Sequence, residues 1–270
     1  MAPAFRIMGI VNVTPDSFSD GGEWFERDAA IAHGLALAEE GASILDVGGE
    51  STRPFAEPVP AAEELARVVP VVTALAQAGV AQVSVDTMKL EVARAALDAG
   101  ATYVNDVTAF RHDPGLAGLV AERGCDCCLM HMLGEPRTMQ VDPRYDDVVS
   151  EVKAFLEERA AFAVREGIAE ERIMVDPGIG FGKTVDHNLE LVRRLDEFVA
   201  LGFPVLVGTS RKGFLGRLVG REDPHDRVAA TVATNVLALE RGASVFRVHD
   251  VAATADALKV TAATLRGHGA

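Results

Sequence analysis

The sequence predicts a single (β/α)8 TIM barrel over residues 1–270. Short apolar runs alternate with longer helical segments, and eight such units average about 34 residues each, which fits a barrel of typical size. Several helical segments are followed by glycine, the residue that most easily adopts the left-handed conformation of a helix C-cap. Polar residues lie at or just after the ends of all eight apolar runs. These observations favour a closed barrel, whose strand ends meet at one mouth, over an open doubly wound sheet.

The apolar runs are four to eight residues long and several are β-branched, as in strands that are covered on both faces. The predicted strands are Arg6–Val13, Ser43–Val47, Gln82–Asp86, Tyr103–Asp106, Asp126–His131, Arg172–Asp176, Phe203–Val207 and Ser244–Val248. The predicted helices are Asp28–Glu40, Ala61–Ala78, Lys89–Ala99, Pro114–Arg123, Tyr145–Glu166, Val185–Val199, Asp226–Arg241 and Val251–Leu265. The glycines predicted as C-caps are Gly41, Gly79, Gly100, Gly167, Gly202 and Gly242.

Composition and net charge limit the partners and the compartment that we expect for this protein. The net charge of −14 disfavours nucleic acid and anionic membranes as partners. A local cluster of basic side chains can still bind an anionic small substrate, since exposed charges are screened beyond roughly 8 Å. No run approaches the roughly 18 apolar residues of a membrane span. The N-terminal apolar stretch leads directly into the first predicted strand, so we expect a cytoplasmic protein.

All three cysteines lie in one short segment, at Cys125, Cys127 and Cys128. This arrangement disfavours a disulfide framework and indicates a reducing compartment. A metal site that includes His131 is the alternative, but the spacing differs from the paired CxxC pattern of zinc sites. We therefore predict a buried strand in which the thiols act as small hydrophobic groups.

The polar residues at the strand ends are candidates for one shared site. In chain order they are Asn12, Glu50–Arg53, Asp86, Asn105 and Asp106, His131, Asp176, Ser210–Lys212, and Arg247 with His249. Taken singly, each has a structural explanation: Asp86 as a helix N-cap, Asn12 as a turn residue, His249 as an ordinary histidine. Only a common site explains why polar residues occupy all eight ends.

Eight motifs, in this order, span nearly the whole chain. They are NVTPDSFSDGG at 12–22, GGESTRP at 48–54, DT at 86–87, ND at 105–106, MHM at 130–132, DPGIGFGK at 176–183, SRK at 210–212 and RVHD at 247–250. This ordered set resembles the motifs of the dihydropteroate synthases. That family condenses 6-hydroxymethyl-7,8-dihydropterin pyrophosphate with 4-aminobenzoate and releases pyrophosphate, and its members are typically homodimers.

The resemblance assigns roles to individual residues. It makes Asn12 a ligand of Mg²⁺ and of pyrophosphate, with Arg247 and His249 also on the pyrophosphate. It places Asp20 near the metal and the developing cation. The residues that would line the pterin pocket are Asp86, Asn105, Asp176 and Lys212. Met130 would be a further substrate-binding residue, and Thr52 would contact the substrate from the second loop.

The chemistry of these side chains suits a pterin. Its amino-pyrimidinone edge presents adjacent N–H donors, which the carboxylates of Asp86 and Asp176 can accept. Asn105 supplies a donor and an acceptor, and Lys212 can donate to the pterin carbonyl or ring nitrogen. The planar guanidinium of Arg247 can stack on the ring while its edge meets phosphate.

For the second substrate, the resemblance places the aminobenzoate carboxylate near Ser210, at the start of the helix entered at Lys212–Phe214. Its ring would be flanked by Pro54, Phe181 and Lys212, with Phe18 and Arg53 arriving as the loops close. Lys183 is expected to be exposed, because DPGIGFGK is not a GxxxxGK[ST] phosphate loop.

Two residues depart from the family pattern. Phe55 stands where the family commonly has glycine, and Gly213 stands where many members carry serine. Both positions bear on aminobenzoate and sulfonamide binding.

Two other functions fit part of the pattern. A pterin-binding methyltransferase acting on methyltetrahydrofolate would share the barrel and the pterin carboxylates, but has no need of the set Asn12, Arg247 and His249. A non-catalytic barrel, or an aldolase-like one with Lys212 as a Schiff-base amine, is the third hypothesis.

Overall fold

Eight parallel strands form one sheet in the computed structural model, which describes residues 5–14, 22–53 and 56–266. The strands are β1 (Arg6–Asn12), β2 (Ile44–Gly48), β3 (Gln82–Asp86), β4 (Tyr103–Asp106), β5 (Asp126–Met130), β6 (Ile173–Asp176), β7 (Leu206–Val207) and β8 (Val245–Val248). Their order is β6-β5-β4-β3-β2-β1-β8-β7, and a parallel bridge from Val175 to Val205 connects β6 with the segment that leads into β7. The sheet is thus the predicted barrel and not a doubly wound sheet.

Helices surround the strands. In the described residues they are α1 (Gly22–Glu39), α2 (Ala61–Ala78), α3 (Leu90–Asp98), α4 (Gly115–Arg123), α5 (Val148–Arg165), α6 (Val185–Arg193), α7 (Asp196–Val199), α8 (Gly213–Val219), α9 (Val228–Glu240) and α10 (Val251–Arg266). The six glycines predicted as C-caps all have positive φ. No helix in the described ranges is both long and apolar enough to cross a membrane.

Several predicted helix boundaries were wrong. The prediction of one helix over Val185–Val199 fails because the chain leaves helical geometry at Arg194, which separates α6 from α7. The helix predicted from Tyr145 begins three residues later, because the Asp147 carboxylate accepts from the backbone N–H groups of Val149 and Ser150 and caps α5. α8 begins at Gly213, inside the Lys212–Phe214 segment where the sequence predicted a helix to start. Boundary errors of this size are usual where caps decide the ends.

Strand residues alternate between two environments. One set packs outward against the helices and forms the main core. The other set points into the barrel, where a separate apolar cluster fills the interior. We call this cluster the lower layer; its members are Met8, Ile44, Tyr103, Cys128, Met174, Leu206 and Val245. The barrel is therefore closed by side chains at this level, as is usual for the fold.

The cysteines are buried and free, as predicted. Cys127 packs outward into the main core, whereas Cys128 belongs to the lower layer. Burial raises the pKa of the Cys125 thiol to about 11 and that of Cys128 well above its ordinary value. All three therefore behave as neutral apolar groups at pH 7.

Candidate active site

On strands β2, β4, β6 and β8, the interior turns from apolar to polar two residues further along. Ile44 is followed by Asp46, Tyr103 by Asn105, Met174 by Asp176 and Val245 by Arg247. With Asp86 of β3, these residues form a second set of interior side chains nearer the carboxyl ends of the strands. We call this set the upper layer; its members are Asp46, Asp86, Asn105, Asp176 and Arg247. It lies where barrel enzymes place their active sites.

Asp46 connects this layer and was not predicted. Its side chain is fully buried. It accepts hydrogen bonds from Ser84 Oγ at 2.6 Å, Asn105 Nδ2 at 3.0 Å and Arg247 Nε at 2.6 Å. Because the amide nitrogen of Asn105 is committed to Asp46, its oxygen remains the acceptor that a ligand would meet. The signal for Asp46 was available in the sequence, since a charge inside a strand covered on both faces must be paired.

Arg247 links Asp46 to Asp86. Its Nη2 donates to Asp86 Oδ2 at 2.7 Å, so one guanidinium bridges two buried carboxylates. Burial raises the pKa of Asp86 to about 7, although the guanidinium of Arg247 opposes this shift. Asp86 is not an N-cap, because α3 begins after Lys89 without a capping side chain.

Asp176 and Lys212 form the opposite side of the layer. Asp176 Oδ1 accepts from the backbone N–H of Gly178 at 2.7 Å, and burial raises the pKa of this carboxyl while Lys212 opposes the rise. Burial lowers the pKa of Lys212 to about 7, against the attraction of Asp176. Lys212 Nζ donates to the carbonyl of Ile179 and lies 4.3 Å from the centroid of the Phe181 ring.

The loop after β6 approaches Lys212 so closely that only glycine fits at one position. Gly180 has a φ of 87°, and a Cβ there would lie 2.8 Å from Lys212 Cδ. Both the backbone conformation and the contact therefore exclude a larger residue. Gly178 and Gly182 also have positive φ, and a Cβ at either would clash with His131 or Leu133, so close packing of this loop explains the alternating glycines.

Phe181 and Met130 meet in a small apolar cluster at the same end of the barrel. Met130 is buried with Val107, Met132 and Met139, and Phe181 packs against this group. The ring of Phe181 thus has Met130 and its neighbours as apolar support and the ammonium of Lys212 close to its face. The structure brings both residues together at this end of the barrel, where the sequence predicted Phe181 as an apolar wall and Met130 as a substrate-binding residue.

His249 and Ser210 form a basic corner of the mouth. Ser210 Oγ lies 3.0 Å from His249 Nδ1 and also accepts from the backbone N–H of His249 at 3.1 Å. Burial, together with the positive charges of Arg211, Arg247 and Arg53, lowers the pKa of His249 to about 3. The imidazole is therefore neutral at pH 7 and lies in a positive field that favours an anion.

Other predicted residues lie at the rim. Asn12 ends β1, where it is partly exposed and aligned with Gly48 of β2. On the second loop Thr52 is partly exposed and Arg53 is exposed. The predictions for Phe18, Asp20, Pro54 and Phe55 fall outside the described residues.

The base of the second loop is held by an ion-pair triad of which Glu64 is buried and Lys89 and Glu50 are partly buried. Lys89 Nζ pairs with the carboxylates of Glu50 and Glu64. Neither Glu64 nor Lys89 was among the predicted site residues. Glu50, predicted at the strand end, thus anchors the loop that carries Thr52.

Two further strand-end residues serve the local structure. Asp106 accepts from the backbone N–H groups of Thr108 and Phe110, both at 2.7 Å, and so shapes the turn after β4. His131 is buried and its Nδ1 lies 2.9 Å from Lys183 Nζ.

The prediction that Lys183 is exposed was wrong: only 3% of it is exposed, because the glycine-rich loop folds back over the end of β5.

Comparisons with known proteins agree with this geometry. The sequence model of a family described as pterin binding enzyme matches residues 8–249. A dihydropteroate synthase of Escherichia coli strain K12 is 47% identical over 260 residues, which cover 96% of this chain and 92% of that protein.

Solved structures agree as well. The Xanthomonas albilineans dihydropteroate synthase with 4-aminobenzoic acid superposes with a TM-score of 0.92 at 53% identity, covering 97% of this chain and 93% of that one. The Yersinia pestis enzyme, in a sulfonamide drug complex, gives a TM-score of 0.92 at 44% identity, with 97% and 94% coverage. Relatives this similar over nearly the full length favour the synthase over the methyltransferase and aldolase hypotheses. The chain belongs to the dihydropteroate synthase family.

Proposed function

We propose that this chain condenses 6-hydroxymethyl-7,8-dihydropterin pyrophosphate with 4-aminobenzoate, giving 7,8-dihydropteroate and pyrophosphate. The observation that carries the proposal is the upper layer. Several strands contribute buried hydrogen-bonding groups to this layer, which lies directly above the apolar lower layer. A flat heterocycle whose edge carries alternating donors and acceptors can hydrogen-bond to the polar groups of this layer.

Pterin recognition uses the carboxylates and the amide. Asp176 accepts from the N–H groups of the amino-pyrimidinone edge through the oxygen not engaged by Gly178. Asn105 offers its oxygen because Asp46 holds its nitrogen. Lys212 donates to the pterin, and Asp86 accepts from it while paired with Arg247. An analogue lacking these groups would leave buried polar atoms unpaired, which supports selectivity.

The departing pyrophosphate belongs at the basic corner. His249 is neutral, so it stabilises the anion as an N–H donor rather than as a cation. Ser210 holds Nδ1, which favours the tautomer with the proton on Nε2. Arg247 and Arg53 supply positive potential, since both lower the pKa of this histidine.

The proposed metal is Mg²⁺, bound by Asn12 together with the substrate pyrophosphate. Among the described residues there is no group of three or more His, Cys, Asp or Glu side chains that could hold a metal. A metal that takes one or two protein oxygens, with substrate phosphate and water for the rest, fits this donor set. When bound, Mg²⁺ would neutralise charge on the leaving group. Asp20 is proposed to lie near this metal and the cation that develops on the pterin.

The aminobenzoate is proposed to lie against Phe181 and Lys212, with Thr52, Arg53, Pro54 and Phe18 covering it from the loops. Met130 supports the Phe181 ring from behind. The carboxylate of the aminobenzoate is proposed to lie near Ser210. The arylamine is neutral at pH 7, so attack on the pterin methylene requires orientation rather than a strong base. The amine proton is then lost to solvent.

The deciding experiment is aminobenzoate-dependent release of pyrophosphate from the pterin substrate with Mg²⁺. We expect stoichiometric dihydropteroate and pyrophosphate. Release without aminobenzoate incorporation, or methyl transfer from methyltetrahydrofolate to a corrinoid, would contradict the proposal. Omitting Mg²⁺ in the presence of a chelator should abolish turnover.

Assembly and compartment are proposed from the family resemblance. We propose a cytoplasmic homodimer. The three free, buried cysteines support a reducing compartment. Sedimentation velocity of the purified chain tests the dimer, and a mass of one protomer would overturn it.

A further inference from the structure

The loop that follows β6 is held by side chains along its length. Four successive carbonyls each accept from a side-chain donor: Ile179 from Lys212 Nζ, Gly180 from Gln140 Nε2 at 2.7 Å, Phe181 from Lys183 Nζ at 3.0 Å and Gly182 from Tyr145 OH at 2.9 Å. Loops usually rely on backbone bonds and water. Here the backbone that carries Phe181 is fixed from several directions.

Lys183 takes no part in the proposed reaction, yet it is buried and makes several polar contacts. Its Nζ lies 2.9 Å from His131 Nδ1, 3.0 Å from the carbonyl of Phe181 and 3.4 Å from the carbonyl of His131. Burial lowers the pKa of Lys183 well below its ordinary value. A buried amine without hydrogen-bond partners is unfavourable, so these three contacts define its position.

His131 is itself rigidly placed. Its ring packs edge-on against Phe155, with centroids 4.9 Å apart, and contacts Tyr145 at 6.1 Å. Its backbone N–H donates to the carbonyl of Asp176 at 3.0 Å. Lys183 therefore connects the loop after β6 to a fixed point at the end of β5.

We propose that Lys183 is a positioning residue for aminobenzoate: it holds the carbonyl of Phe181 on the fixed imidazole of His131 and so keeps the Phe181 ring beside Lys212. This inference rests on the role proposed above for Phe181. Lys183 is buried and its Nζ is engaged by His131 and the carbonyl of Phe181, so we expect it to act through Phe181 and not by touching the ligand. Its loss should therefore affect one substrate more than the other.

Lys183→Met tests the role with a side chain of similar length that fits a buried apolar site but has no donor. We expect the aminobenzoate KM to rise about tenfold, while the Kd of a non-reactive pterin changes less than about threefold. Hydrogen exchange in the peptide covering 177–183 should also become faster. Lys259→Met, at an exposed lysine of α10, is the matched control and should change none of these values.

Two companion variants separate the possible failures. Phe181→Ala should raise the aminobenzoate KM by itself; if it does not, the wall assignment in the proposed function fails. If Phe181→Ala raises KM but Lys183→Met leaves both KM and exchange unchanged, the positioning role is wrong. An equal loss of pterin and aminobenzoate affinity in Lys183→Met would also overturn it, since that result indicates general support of the barrel.

Tyr145→Phe keeps the test decisive if Lys183→Met does not fold. It removes only the hydroxyl that donates to Gly182 and preserves the ring beside His131. We expect about a threefold rise in aminobenzoate KM and faster exchange of the same peptide. Unchanged values in a folded Tyr145→Phe, with Lys183→Met unfolded, would overturn the proposal.

Discussion

The two interior layers of the barrel have strands β2, β4, β6 and β8 in common and differ in almost every physical respect. In the lower layer the Tyr103 hydroxyl donates to the sulfur of Met174 at 3.3 Å, and the layer as a whole is an apolar cluster. Two residues further along, Asp46, Asp86 and Arg247 form a buried charge network. The period-two alternation of a strand places both sets in the interior, so their difference comes only from residue type.

The lower layer mainly stabilises the fold, whereas the upper layer is arranged for ligand binding. Apolar burial in the lower layer stabilises the fold, whereas buried ion pairs are often no more stabilising than apolar residues of similar size. In the upper layer burial raises the pKa of Asp86 to about 7 and, next to that layer, lowers that of Lys212 to about 7. Groups shifted in this way, in a barrel mouth, are expected where a ligand is to supply the missing partners.

The strongest test of the comparison replaces one residue in each layer on β6. Asp176→Asn should lower pterin affinity about a hundredfold, because the amide presents a donor where the pterin also presents one and a charged hydrogen bond is lost. Met174→Leu, in the lower layer, conserves volume and should leave pterin affinity unchanged. Calorimetry with a non-reactive pterin measures both. Near-normal binding by Asp176→Asn would remove this carboxylate from the pterin pocket.

His249 tests the basic corner with less disturbance of the network than Arg247. Removing Arg247 would leave two carboxylates, Asp46 and Asp86, buried without their partner. His249→Ala should weaken binding of the pyrophosphate-bearing substrate about thirtyfold and that of a phosphate-free pterin little. Competition binding with the two ligands gives the ratio. Equal losses for both would place His249 in the ring pocket or in the fold.

The pH dependence of kcat/KM provides a third test. Asp86 accepts from the pterin only when ionised, so its contribution is lost as pH falls below about 7. Lys212 carries its charge only when protonated, so its contribution is lost as pH rises above about 7. We expect kcat/KM for the pterin substrate to be bell-shaped around pH 7, about tenfold lower one to two units away on either side. In Lys212→Arg the alkaline limb should move to higher pH, since guanidinium stays charged; an unmoved limb would assign it to another group.

Much of this arrangement follows from sequence because strands impose a simple rule. Residues at the carboxyl ends of parallel strands in a barrel share one mouth, so Asp86, Asn105, Asp176 and Arg247 were identifiable from their positions in the pattern. Helix ends were less accurate, since a single cap such as Asp147 or a break at Arg194 decides them.

Lys183 and Asp46 show what the pattern does not contain. A lysine after a glycine-rich segment resembles a surface residue, and only the fold of the loop brings its Nζ to His131. Asp46 lay inside an apolar strand, but its partners Asn105 and Arg247 are 59 and 201 residues away in the chain. Contacts of such range depend on barrel closure rather than on local sequence.

The smallest expected effect lies in the lower layer. Cys128 is fully buried there as a neutral thiol, two residues before Met130 on β5. Cys128→Ala removes one sulfur from a packed interior, and we expect a loss of about 1 kcal/mol in the free energy of unfolding, or roughly 2–4 °C in Tm. The kcat and both KM values should stay within experimental error, because the charged network above does not use the thiol. Thermal unfolding and steady-state kinetics on the same preparation check this pair of expectations. A loss of turnover with an unchanged Tm would mean that the two layers are coupled, and the separation of stability from function along these strands would be wrong.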